Sequence, residues 1–294
     1  MIAVMGAAGN VDGKLADLLL QGGQEVRVLE HRRTLAELGE RGAEVVTGDA
    51  LRVEDLRRLF TGADAAFVLL PDNVDDPRLV ANRSRMSQAI TDSLRETRVG
   101  HVVALTVVGA DRAGAPGPPA GLHEHERRLA GLRDTDLLVL RPAAYMDYLL
   151  GSLPLIRSQG LNGGVIDGDL EYPMIATVDV AQEAAERLTR RDWGGHRGKL
   201  LLGPEDVSMR EATRAIGSRL GIAELPYVEL PPAEMKGALR GAGMSEEAAG
   251  LLVDMQLGIN DGWFFDGVRR TPETATPTRL EAFLKDALPE EVGR

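Results

Sequence analysis

The sequence predicts an α/β fold: a doubly wound parallel sheet with a smaller C-terminal lobe over it. Three observations carry this. Residues 2–13 run as an apolar strand, a glycine turn and the start of a helix. The first half then alternates short apolar runs with amphipathic segments, the pattern of β-α-β units. After Pro142 that regularity stops.

Taken in order, the strand candidates are 2–5, 25–29, 44–47, 65–70, 101–107 and 137–140. Their nearly uniform apolarity suits strands covered on both faces. Val11, Leu15, Leu18 and Leu19 share one face of a first helix, a second starts near Leu51, and 77–96 supplies a longer one. The Gly-, Pro- and Ala-rich stretch 109–121 reads as a loop, either a lid or a plain surface connection. Beyond it come an apolar stretch at 145–156, a turn-rich stretch at 160–169, a short strand with an Ala-rich helix over 174–188, and a strand at 199–202. Helices follow at 208–220, 245–257 and 278–288, the last with Thr276 or Thr278 as its cap. We expect a nucleotide-binding domain over 1–150, its sheet completed by about 172–203, and a substrate lobe over most of 151–294.

Composition narrows the function. With 294 residues the chain can bury a sizeable core. No apolar run approaches a membrane span, and the chain starts directly in a strand without a secretory signal, so a soluble cytoplasmic protein is expected. Zero cysteines exclude disulfides, thiolate metal sites and cysteine nucleophiles. A formal charge of −11 repels nucleic-acid phosphates. Small molecules, with an aromatic or apolar substrate foremost, are the expected partners, and a homodimer is compatible.

The turn Gly6-Ala7-Ala8-Gly9-Asn10-Val11-Asp12 follows a strand and opens a helix, where backbone amides and the helix dipole can seat a diphosphate. Glu30 ends the next strand, where a carboxylate can take both ribose hydroxyls. His31, Arg32 and Arg33 follow it, and an arginine there can instead grip a 2′-phosphate. The arginines tip the expectation to NADP, with NAD as the other choice.

The chain resembles the NmrA-like group of atypical short-chain dehydrogenases/reductases, which have a Rossmann fold and include NADP-dependent quinone reductases and cofactor-sensing regulators. The resemblance rests on the glycine turn, Val45-Val46-Thr47-Gly48-Asp49, 105–111, Leu140-Arg141-Pro142 with Tyr145-Met146-Asp147, 175–181, and Leu202-Gly203-Pro204-Glu205. It implies that Gly6, Ala8, Gly9, Asn10 and Val11 surround the diphosphate and that Asp49 and Ala50 lie beside the adenine. Leu70 and Pro71 would flank the coenzyme, Thr106 and Val107 would line the nicotinamide side, and Tyr145 would close the pocket.

The departures from that pattern matter as much. Asp12 stands where a third glycine belongs and brings a negative charge to the helix start, which is expected to weaken the nucleotide's hold. Val107 replaces a serine. No Tyr-x-x-x-Lys pair exists, and the only lysines are Lys14, Lys199, Lys236 and Lys285. The remaining sources of a general acid are His123 or His125, with an adjacent glutamate holding the ring, besides Tyr145 and Thr106. The two histidines diverge on a helix, so no metal site is expected. Trp193 reads as a partial surface anchor, and 261–265 either as a lobe core or as the floor of an aromatic pocket.

The function expected is an NAD(P)-dependent oxidoreductase acting on a quinone, enone or ketone of a bulky apolar molecule. A dinucleotide-sensing regulator and a pocket repurposed for a redox-neutral cyclisation or dehydration are the alternatives.

Overall fold

A computed structural model describes residues 1–6, 9–30, 36–71 and 73–288. The first half runs β1 (Ile2–Val4), α1 (Asp12–Gln21), β2 (Val26–Glu30), α2 (Ala36–Glu40), β3 (Glu44–Thr47), α3 (Val53–Phe60) and β4 (Ala65–Leu69). It continues with α4 (Leu79–Thr97), β5 (His101–Leu105), α5 (Pro119–Leu129) and β6 (Asp136–Pro142). Then come β7 (Ala144–Tyr145), a 3-10 segment Met146–Ser152, α6 (Leu153–Gln159), β8 (Asn162–Gly164), β9 (Tyr172–Ile175), α7 (Thr177–Arg190) and β10 (His196–Leu201). The chain closes with β11 (Asp206–Val207), α8 (Met209–Arg219), β12 (Tyr227–Glu229), α9 (Pro232–Gly241), α10 (Glu246–Asn260) and α11 (Leu280–Ala287).

Seven strands form the main sheet in the order β10-β6-β5-β4-β1-β2-β3, every neighbouring pair parallel. Strand side chains alternate between faces, and both faces are dry. Val4, Phe67 and Val103 pack with Leu15, Leu19, Val180 and Leu188 of α1 and α7. Ala66, Val68, Val102 and Ala104 pack with residues of α3, α4 and α5 such as Phe60, Ile90, Leu94 and Leu122. Phe60 and Phe67 are fully buried, and truncating either to alanine would cost about 3–5 kcal/mol. The doubly wound parallel sheet read in the sequence is therefore present.

Two small sheets lie outside it, β11-β9-β7 and β12-β8. A third core holds Met146, Leu149, Tyr172, Met174, Ile216, Phe264 and Leu284. Tyr172 stacks on Phe265 at 5.8 Å between ring centroids. Phe264 and Phe265 thus belong to the lobe's own core. Among the described residues no helix is long and apolar enough to cross a membrane.

Some boundaries differ from expectation. The strand placed at 199–202 begins at His196 and adds to the edge of the main sheet, pairing with β6 over six positions. Its early part, His-Arg-Gly, carries no apolar signal because that edge faces solvent. The last helix starts at Leu280 with Arg279 before it and no side-chain cap, so neither Thr276 nor Thr278 caps it. Thr278 instead donates its hydroxyl to Asp179 Oδ1 at 2.6 Å and ties the helix entry to α7. Trp193 is half-buried and meets His101 edge-on at 5.2 Å.

Candidate active site

In a parallel sheet the strand ends on one edge bring distant loops together, and ligands bind there. The turn after β1, Glu30, the loop after β3, Leu70 after β4, Val107 after β5 and Tyr145 after β6 all leave the sheet at this edge. Ala8, His31 and Arg32, expected at the same site, lie outside the described residues.

The turn is built from glycine for a reason. Gly6 adopts φ +83°, a conformation that L side chains rarely adopt. A Cβ there would also stand 2.9 Å from Asp12 Oδ2, and one on Gly9 would collide with Asp12 Oδ1. The Asp12 carboxylate therefore fills the hollow between the two glycines, and the residue is only 4% exposed. It does not cap its own helix. It turns back to accept the Gly9 N–H at 3.0 Å, an amide that also donates to the Gly6 carbonyl at 3.1 Å. Burial lifts this carboxyl to about 6, against the opposing pull of the Gly9 amide, its own amide and Lys14. The frame of the turn fits a dinucleotide diphosphate; its floor already carries a negative group.

Asn10 is exposed and Val11 buried beside that floor. Glu30 is half-buried at the end of β2. Asp49 Oδ1 accepts the Leu51 N–H at 2.8 Å, and Asp55 Oδ2 accepts the Asp49 N–H at 2.9 Å, which fixes the loop where Asp49 and half-buried Ala50 sit. Leu70 is a core side chain packed beneath the sheet and can meet a ligand only through its backbone, whereas Pro71 is exposed.

Two of the expected acids are corrected by burial. His125 is 0% exposed; Ser87 Oγ meets its Nδ1 at 2.9 Å, and Nε2 finds no partner among the described residues. Burial, reinforced by the Arg83 and Arg128 charges, pushes it down to about 3, so it is a neutral core histidine. Thr106 is 2% exposed and donates its hydroxyl to Glu126 Oε1 at 2.7 Å, so it lines no pocket. Glu126 holds no histidine ring: Arg141 Nε and Nη2 approach its two oxygens at 3.1 and 2.7 Å. His123 is half-buried, with Nδ1 donating to the Ala110 carbonyl at 2.9 Å in the tautomer that satisfies both groups. Tyr145 is half-buried 5.7 Å from the exposed ring of Tyr148, and Val107 is half-buried and apolar.

One cluster lies beyond what sequence reasoning finds. Lys14 Nζ reaches the Asn10 carbonyl at 2.9 Å, Thr177 Oγ1 at 2.8 Å and Asp147 Oδ1 at 3.5 Å. Thr177 in turn donates its hydroxyl and its amide to the two Asp147 oxygens at 2.7 and 3.2 Å. This network clips the glycine turn to the segment after Tyr145 and to the start of α7. Only the four-residue spacing of Asn10 and Lys14 signals part of it in the sequence.

The 109–121 connection is held along its length. Gly109, at φ +84°, lies so close beneath Trp263 that a Cβ would stand 2.7 Å from the indole. The Arg112 guanidinium stacks on that ring at 4.4 Å, and Arg83 donates to the Pro118 carbonyl at 3.2 Å. A cavity of about 630 Å³ opens beside it, lined by Arg112, Pro116, Asp254, Leu257 and Trp263 among others.

Comparison with known proteins agrees with this fold. A family model described as NAD(P)H-binding matches residues 6–189. Quinone oxidoreductase 2 of Escherichia coli strain K12 is 22% identical over 276 residues, 90% of each chain. The crystal structure of an NADPH-dependent quinone oxidoreductase from Escherichia coli, complexed with NADPH, superposes with a TM-score of 0.81 at 20% identity, covering 98% of this chain and 99% of that one. NmrA, a negative transcriptional regulator solved with NAD, gives 0.71 at 17% identity over 99% of this chain and 96% of its own. The match runs from Gly6 of the glycine turn into the last turn of α7, well over half of the chain, and takes in β2 to β6 of the main sheet, so the chain belongs to the NAD(P)H-binding family.

Proposed function

We propose that the chain binds NADP, or NAD, along the C-terminal edge of the sheet and reduces a quinone, enone or ketone carried on a bulky apolar molecule. The observation that carries this is the Gly6 turn at φ +83° between β1 and α1, on the edge where Glu30, Asp49, Pro71, Val107 and Tyr145 also emerge. The family match and the NADPH-bound quinone oxidoreductase neighbour support it.

When bound, the nicotinamide supplies the hydride. The chain's own residues do the rest. The turn amides at Asn10 and Val11 would hold the diphosphate, Glu30 the ribose hydroxyls and Asp49 the adenine. Val107 offers an apolar wall that keeps water from the reacting carbonyl. Because His125 and Thr106 are withdrawn into the core, the proton comes from Tyr145, from His123 or from water. Reduction of a quinone suits this setting: the hydride produces a phenolate stabilised by its ring, which takes one proton without a strong acid.

The same withdrawal favours a second reading, a dinucleotide sensor without catalysis, as does the likeness to NmrA in fold. NADPH fluorescence titration followed by NADPH consumption with a panel of benzoquinones and naphthoquinones separates the two. Binding with turnover is the expected result; tight binding with no turnover against any quinone would favour the sensor.

A further inference from the structure

We infer that coenzyme binding takes up a proton at Asp12, whose carboxylate occupies the diphosphate seat of the free chain as an internal anion. The inference rests on the coenzyme site proposed above and adds to it a residue that sets affinity.

The geometry is specific. An anion seated on a glycine turn takes its hydrogen bonds from the turn's amides. Here the Gly9 N–H is already given to Asp12 Oδ2 at 3.0 Å, and the carboxylate fills the space that the absent side chains of Gly6 and Gly9 leave open. A diphosphate arriving above that floor meets a buried negative charge at short range and low dielectric, where repulsion is strong. No ion pair relieves it among the described residues. Lys14, on the same helix, directs its ammonium to Asn10, Thr177 and Asp147 instead. Leu69 of β4 packs beside Gly6, and Glu30, Asp49 and Asp147 are the other acidic groups that the described residues bring to this edge. A neutral carboxyl keeps the Gly9 N–H satisfied through its carbonyl oxygen and removes the repulsion.

The buried carboxyl is poised for this. It titrates at about 6 in the free chain, already lifted by burial, so a second negative charge carries it further up and into the neutral range. Linkage then fixes the sign. Between the free and the bound titration points the bound state holds one more proton, so affinity weakens as pH rises, approaching about tenfold per pH unit.

The test measures binding of NADP⁺ and of NAD⁺ by isothermal titration calorimetry between about pH 6 and 8.5, in buffers of different ionisation enthalpy. NAD⁺ is included because it lacks the 2′-phosphate that titrates over part of the same range. The full chain is compared with Asp12→Asn and Asp12→Gly. The expected result is uptake of close to one proton near pH 7.5 and an affinity that weakens about tenfold per unit in the unsubstituted chain. Both variants are expected to bind NAD⁺ with a flat profile and more tightly at high pH. Equal slopes in chain and variants, or no proton uptake, would overturn the inference while leaving the coenzyme site standing. Failure of the chain and both variants to bind either nucleotide at any pH would remove the coenzyme site and the inference together.

Discussion

Two buried carboxylates, Asp12 on α1 and Glu126 on α5, are nearly equally hidden, at 4% and 8% exposure, and their surroundings could hardly differ more. Glu126 accepts from Thr106 Oγ1 and from two nitrogens of Arg141, and Asp111 stands 3.5 Å from the outer face of the same guanidinium. Asp12 has only backbone amides, those of Gly9 and of itself, and among the described residues no cation in contact, Lys14 acting only from a distance. A buried charge with a bidentate cation and a hydroxyl is a fastener: it holds α5 against the ends of β5 and β6. A buried charge left with backbone amides alone is under tension, and chemistry that brings or removes a proton can act on it. Position in the fold agrees, since the fastened group lies inside and the tense one lies under the glycine turn at the strand-end edge of the sheet.

Removing the fastener should have the largest effect. Arg141→Ala leaves Glu126 buried without its cation, and urea denaturation should show a loss of about 3–5 kcal/mol. A loss within the range of an exposed ion pair, below about 1 kcal/mol, would place Glu126 on the same footing as Asp12 and dissolve the contrast.

Asp12 should respond in the opposite direction. Its folded value of about 6 lies above the ordinary 3.8, so the native state holds its proton more tightly than the unfolded chain does. Stability from this group is complete below 3.8, declines as pH rises to about 6, and stays lost above it, by about 3 kcal/mol. Asp12→Asn should therefore stabilise the chain at pH 8 by up to that amount and leave it little changed near pH 4. Chemical denaturation of chain and variant at the two pH values checks it; a variant no more stable at either would remove the tension argued for Asp12.

His125, the neighbour of Glu126, sharpens the comparison from the basic side. Its value is depressed from 6.5 to about 3, first by burial and then by Arg83 and Arg128. The unfolded chain takes a proton below 6.5 that the native state refuses, so stability is intact above 6.5 and declines as pH falls. Over the first two units of that decline the loss should be about 2–3 kcal/mol. His125→Gln should flatten this limb of the stability profile. An unchanged slope would mean that the ring is reached by water after all.

How much of this was legible depended on where the signal resides. The strands of the main sheet announce themselves because burial on both faces demands unbroken apolar runs such as Ala65–Leu69. The glycine turn and the strand-end residues Glu30 and Tyr145 were legible for a related reason: a change from apolar run to polar residue marks the sheet's edge. His125 was misplaced although Leu122 and Leu129, three before it and four after it, place it on the inner face of α5; helical period outweighed the chemistry of the side chain. The Lys14–Thr177–Asp147 clip and the Glu126–Arg141 pair join residues brought together by crossovers, and no local pattern reports them. In the lobe, strands of two and three residues such as β11 and β12 are too short to carry a period at all.

The smallest effect is expected at Tyr145, and its size separates two sources of the proton. The ring is half-buried against Tyr148, and Tyr145 ends β7, just beyond the C-terminal end of β6. Were it an obligatory acid, Tyr145→Phe would slow reduction by about 10²-fold or more, the usual worth of general acid catalysis. A quinone needs no such help, because its reduced oxygen is already a weakly basic phenolate. With a quinone acceptor, Tyr145→Phe should therefore lower kcat by no more than about threefold, roughly 0.7 kcal/mol at the transition state. With a plain ketone, whose alkoxide is far more basic, the loss should be much larger if any turnover is seen. A large and equal loss on both acceptors would assign the proton to Tyr145 and return the site to conventional acid catalysis. Stopped-flow NADPH oxidation on the two acceptors distinguishes these outcomes, and the result bears on the Asp12–Glu126 contrast too: in a site without an obligatory acid, the carboxyl of Asp12, raised to about 6, still exchanges its proton near neutral pH.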